Sequence, residues 1–124
     1  MNKERINQAL RQSWGKDTCY PPMAEKWTEG LPEYGQCAVT ALVVQDLCDG
    51  LLVVCDHEHH YWIILSDGEQ VDLTEKQFES GTVTCLDRIA EREVILFGEG
   101  SERAKTPQRH AILLKKTVDA LKKI

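Results

Sequence analysis

Three side chains in this sequence have the types and the order that thiol chemistry uses. Gly35-Gln36-Cys37 opens the apolar run Ala38-Val39-Thr40-Ala41-Leu42-Val43-Val44, which places a thiol in the first turn of a buried helix. His60 follows in His60-Tyr61-Trp62-Ile63-Ile64-Leu65, and Asp72 in Val71-Asp72-Leu73-Thr74. A cysteine attacks as its thiolate, so it needs neighbours that favour the anion. The unpaired N–H groups and dipole of a helix start contribute up to about 2 kcal/mol toward that end. An imidazolium beside the sulfur supplies the rest, and a carboxylate beside the imidazole fixes its tautomer and stabilises its charge. The same free N–H groups steady an oxyanion, and the Gln36 amide is a candidate second donor.

Strand geometry decides whether the aspartate reaches the histidine. If Asp67-Gly68 is a two-residue turn, Ser66 pairs with Glu69 and Asp72 shares a face with His59. If Ser66-Asp67-Gly68 is a three-residue loop with Gly68 left-handed, Leu65 pairs with Glu69 and Trp62 faces Asp72. His60 and Asp72 then become diagonal neighbours on one face, within reach of an imidazole–carboxylate hydrogen bond. Glycine after two turn-formers favours the second register. Trp62, beside His60, would shield the pair from water. Each residue also has an ordinary role: Cys37 as a small core residue, Trp62 as core packing, Asp72 as a cap for a helix beginning near Thr74.

The elements that must position these groups follow from periodicity. Ile6, Ala9, Leu10 and Trp14 predict an amphipathic helix over 3–14. Residues 15–35 are broken by Gly15, Pro21-Pro22, Gly30, Pro32 and Gly35, yet carry Cys19, Trp27 and Tyr34, so an irregular segment packed on the core is expected. A nearly all-apolar helix spans about 36–48, with Gly35 as N-cap and Asp49-Gly50 ending it. Strands are expected over 51–55, 60–65 and 69–73, and Thr74-Glu75-Lys76-Gln77 matches a capping box that starts a short helix. Residues 79–105 are ambiguous, with a strand at 82–86 and a short helix or strand at 94–97. Thr106-Pro107 opens a last helix as N-cap and first-turn residue, with Ala111, Leu114, Val118 and Leu121 on its inner face. The expected fold class is α+β, a single domain over 1–124. A buried central helix carrying the cysteine at its N-terminus packs on a small antiparallel sheet, flanked by N- and C-terminal helices.

Composition narrows the partners. The chain has 124 residues, 28% of them charged, with a net charge of -5. Nucleic-acid binding needs a concentrated basic face, so that class is disfavoured. The cluster of Lys115, Lys116, Lys122 and Lys123 reads as a solvated helix face. No apolar stretch approaches the roughly 20 residues of a membrane span, and the charged start Met1-Asn2-Lys3-Glu4-Arg5 is unlike a signal peptide. A cytoplasmic protein is expected, and its five cysteines, without CxxC spacing, read as free thiols. Cys55-Asp56-His57-Glu58-His59-His60 concentrates metal-ligand types, but no second cluster completes a tetrahedral site, so a polar hairpin tip is the commoner explanation and no metal or cofactor is expected. His110 has no evident partner.

Ser13-Trp14, Asp17-Thr18-Cys19, Trp27, Gly35-Gln36-Cys37-Ala38-Val39-Thr40-Ala41-Leu42, His60-Tyr61-Trp62, Val71-Asp72-Leu73-Thr74 and Gln77-Phe78 together resemble the YunG-like family of small bacterial proteins. The resemblance covers most of the chain and is weakest over 79–105. At a coarser level the Cys–His–Asp order is similar to papain-like, transglutaminase-like and arylamine acetyltransferase cores. That analogy implies a papain-like core, with Cys37 as nucleophile, His60 as general base and Asp72 as orienter. Gln36 departs from papain, whose oxyanion glutamine lies several residues before the cysteine. The chain also lacks the second lobe of a papain cleft, which argues against a broad endopeptidase. The expectation is a thiol-dependent hydrolase or acyltransferase acting on a small-molecule or peptide substrate. Its alternative is a non-catalytic binding protein that keeps the same core.

Overall fold

A computed structural model describes residues 2–56, 59–74 and 86–124. Helix α1 spans Lys3–Ser13. Asn2 caps it, its Oδ1 accepting from the backbone N–H of Glu4 at 2.8 Å and of Arg5 at 3.3 Å, which satisfies two orphan donors. Helix α2 spans Cys37–Cys48, and Val39, Thr40, Ala41, Leu42, Val43 and Val44 are all buried, as its all-round apolar sequence requires. Strands β1 (Leu51–Cys55), β2 (His60–Ile64), β3 (Gln70–Val71) and β4 (Arg88–Ile89) form one antiparallel sheet in the order β3-β2-β1-β4. Short helices α3 (Arg92–Phe97) and α4 (Ser101–Ala104) lead into α5 (Thr106–Lys123). The class is α+β, with a small four-stranded sheet.

One face of the sheet carries Leu52, Val54, Ile63 and Val71 into the main core. There they join α2, Ile6, Leu10 and Trp14 from the N-terminal segment, and Leu113 of α5. Alternation sends Val53, Cys55 and Trp62 to the opposite face, where they form a second, smaller buried group with Ile64 at its edge. The two helices at the ends of the chain pack on each other, and Trp14 at the end of α1 donates from Nε1 to Thr40 Oγ1 of α2 at 2.9 Å.

Several expectations are corrected. The N-cap of α2 is Gln36, not Gly35, so Cys37 is the first helical residue rather than the second. Gly35 instead supplies the turn into the helix at φ +72, where an added Cβ would lie 2.5 Å from Cys19 Sγ. Thr106 is the first residue of α5 and is buried, while Lys105, at φ 55, takes the cap position. The fully buried stripe of α5 runs through Thr106, Arg109, Leu113 and Thr117; of the expected inner face Leu114 packs on the core and Val118 and Leu121 are half-buried, while Ala111 is exposed. Hydrophobicity alone misplaces part of that stripe, because its polar members find partners, one of them distant in sequence. Thr117 Oγ1 donates to Leu113 O, and Arg109 donates to Ala104 O and Thr18 O.

The segment 15–35 packs through specific bonds, with a 3-10 helix over Pro21–Lys26, Trp27 Nε1 donating to Pro32 O at 2.9 Å, and Cys19 fully buried. The capping box at Thr74 and the strand expected over 82–86 lie almost entirely outside the described residues. Strand β4 and helix α4 are not among the elements the sequence predicts. Val94–Phe97, left open between helix and strand, is helical. Cys19, Cys37 and Cys48 are free, but Cys55 is disulfide-bonded, so the expectation of five free thiols does not hold. The cysteine argument for a reducing compartment falls with it. Among the described residues no helix is long and apolar enough to cross a membrane, and no cluster of ligating side chains could hold a metal.

Candidate active site

Residues far apart in sequence are brought together by the pairing of β2 with β3. Ile63 pairs with Val71 and Ile64 with Gln70, while Leu65 N–H donates to Glu69 O at 2.8 Å. Gly68 stands at φ +89 and its N–H closes the turn on Leu65 O at 2.9 Å. This is the three-residue loop, the second of the two registers the sequence allows. It puts Trp62 opposite Asp72 and makes His60 the diagonal neighbour of the acid on the same face.

The geometry that results is tight. His60 Nε2 lies 2.6 Å from Asp72 Oδ2. The other oxygen, Asp72 Oδ1, accepts from Thr74 N–H at 3.3 Å and Thr74 Oγ1 at 3.4 Å, so the carboxylate is oriented from both ends. His60 is fully buried, and Trp62 stacks on its ring with centroids 5.5 Å apart and planes inclined by 24°. The Trp62 indole is itself held by Nε1–H donation to Gln70 Oε1 at 3.0 Å. Burial alone would pull the imidazole down. Side-chain hydrogen bonds to Asp72 and to Cys37, together with their charges, outweigh that pull and hold His60 at about 9. Near neutral pH the ring is therefore an imidazolium.

Cys37 is half-buried at the mouth of α2, where its Sγ also contacts His59 O at 3.6 Å. His59 takes a left-handed φ of 52, which turns the chain into β2. No side chain caps the first turn of α2, so its leading N–H groups stay available beside the sulfur. A small, narrow cleft opens next to Cys37, lined by Thr40, Ala41 and Val44 of α2, Tyr61 and Trp62 of β2, and the Val71–Thr74 segment.

Gln36 goes elsewhere. Its side chain is fully buried and its Nε2 donates to Gly15 O at 3.0 Å, fastening the start of the 15–35 segment to the helix entrance. It does not line the cavity, and its Oε1 is buried without a hydrogen-bond partner among the described residues. Adjacency to Cys37 misled the sequence reading, because successive residues at a helix start point in different directions. His110 does have a partner: its Nε2 lies 2.6 Å from Asp46 Oδ2, while Arg92 holds Asp46 Oδ1 at 2.7 Å. That cluster ties α2, α3 and α5 together, away from the thiol. Tyr61, quoted in the His60-Tyr61-Trp62 motif but given no role there, also lines the cleft.

Comparison with known proteins gives one consistent picture. No solved structure matches the chain. A Bacillus subtilis (strain 168) protein described as "Uncharacterized protein YunG" is 35% identical over 79 residues, covering 62% of this chain. The match spans 64% of that relative's own length. The family model described as YunG protein matches residues 2–122, and the chain therefore belongs to the YunG family.

Proposed function

We propose that this protein is a thiol-dependent enzyme that acts on an amide or related acyl bond through Cys37, His60 and Asp72. The observation that carries the reading is a buried imidazole 2.6 Å from the Asp72 carboxylate, raised to about 9 by its interactions with Asp72 and Cys37. Such a ring favours the thiolate at rest and has a proton to give to a leaving group. In the proposed cycle the Cys37 thiolate attacks the acyl carbon, and His60 protonates the departing amine or alkoxide. Water or an acceptor then attacks the thioester, with His60 taking its proton, and the sulfur leaves as thiolate. Asp72 holds the ring in place throughout. Hydrolysis, deamidation and acyl transfer share these steps. A thiol at the start of a buried helix, with a His/Asp pair on adjoining antiparallel strands, supports reading the α+β fold as a papain-like core.

Alkylation kinetics test this. Iodoacetamide should modify Cys37 well below pH 8 and faster than Cys48, whose thiol burial pushes up. His60→Ala should slow the reaction at Cys37 by at least about tenfold. Equal rates at Cys37 and Cys48 across the pH range would remove the basis for an enzyme. The narrowness of the cavity favours a second reading, a binding protein that keeps the core without turnover. On that reading Cys37→Ser leaves partner binding intact.

A further inference from the structure

We infer that Tyr61 is a catalytic residue of this site, its phenolic O–H donating to the oxyanion that forms when Cys37 attacks an acyl carbon. This deepens the proposed function and rests on it. Acyl attack at sulfur needs a donor aimed at the developing oxygen charge, usually two. One is present in the backbone: the first-turn N–H groups of α2, Cys37's own among them, have no side-chain cap. Gln36, the neighbouring amide, is spent on Gly15 and lies outside the cavity.

Tyr61 fits the vacant role on three counts. It follows His60 directly on β2, so alternation sends its ring to the face on which α2 packs, while His60 and Trp62 take the other. It lines the same cavity as Cys37. Its hydroxyl makes no hydrogen bond to any described residue, although the other cavity residues Thr40, Trp62, Asp72 and Thr74 are all engaged. Burial, with the charge on Cys37 next, pushes the Tyr61 phenol above its ordinary range, so it keeps its proton and stays a donor.

The step balances. The thiolate pair forms the S–C bond, the carbonyl π pair moves to oxygen, and that oxygen accepts from Tyr61 Oη–H and the α2 N–H. Collapse restores the carbonyl and expels the leaving group with its bonding pair.

Two probes separate this role from thiol activation. p-Nitrophenyl acetate acylates through a tetrahedral oxyanion and releases p-nitrophenolate, whereas iodoacetamide is displaced at a saturated carbon and forms none. Both rates are measured on the full chain, net of the Cys37→Ser background. Tyr61→Phe should slow acylation by about 100-fold while alkylation of Cys37 stays within about threefold. The retained alkylation rate, with an unchanged His60 titration, serves as the control for folding. An acylation loss under about tenfold, or a parallel fall in both rates, would overturn the assignment of Tyr61. Wild-type protein that shows no Cys37-dependent acylation would instead bring down the proposed function, and this inference with it.

Discussion

Asp72 bridges two neighbours through separate oxygens: Oδ2 meets His60 Nε2 at 2.6 Å, and Oδ1 accepts from the backbone and hydroxyl of Thr74. The acid is thus locked before it meets the ring, and the ring is locked in turn by stacking on Trp62. Three elements of rigidity converge on one imidazole, which is the requirement for a positioned proton carrier.

Removing the acid's charge should be visible at the ring. Asp72→Asn and Cys37→Ser are each expected to lower His60 from about 9, since both partners raise it. An NMR titration of the imidazole resonances checks this. A His60 that titrates unchanged in Asp72→Asn would mean the contact carries no energy.

The same shift sets a pH dependence of stability. His60 is raised from 6.5 to about 9 on folding, so the native state binds the extra proton between those values. Its contribution is full below pH 6.5 and is lost as pH rises through 9, amounting to at most about 3 kcal/mol. Urea unfolding at pH 6 and pH 9.5 should show this fall in the wild type and a flatter profile in His60→Gln. A wild-type profile as flat as the variant's would contradict the linkage.

Gly35 is expected to tolerate no side chain. Gly35→Ala combines a left-handed φ of +72 with a Cβ placed 2.5 Å from Cys19 Sγ. The cost should be about 2–3 kcal/mol. Adding Cys19→Ala relieves the collision but not the backbone penalty, so the double variant should recover only part of the loss by denaturant unfolding. Full recovery would show that the conformation of Gly35 costs an alanine nothing.

Cysteine accessibility should follow the bonding state. In unfolding, non-reducing conditions Cys19, Cys37 and Cys48 should take up iodoacetamide, whereas Cys55 should do so only after reduction. Peptide mapping by mass spectrometry reads the difference directly.

Much of the site was legible in the sequence because its signals are local. The apolar run after Cys37 announces a buried helix wherever it sits. Gly68 after Ser66-Asp67 selects a three-residue turn, and the turn alone sets the register that puts His60 and Asp72 on one face. Side-chain destinations across longer distances were not legible. Nothing near Gln36 announces Gly15 as its acceptor, and nothing near His110 announces Asp46, because those partners are fixed by how α2 packs against other segments.

The sequence by itself determined the terminal helices, the buried helix with its leading thiol, and the hairpin register, since each rests on periodicity or turn chemistry within a few residues. Only the tertiary structure decided which side chains enter the cavity, that Cys55 is bonded rather than free, and that α5 buries Arg109 and Thr117 in place of Ala111. Polar groups can be buried wherever distant partners satisfy them, and hydrophobic patterning has no knowledge of those partners.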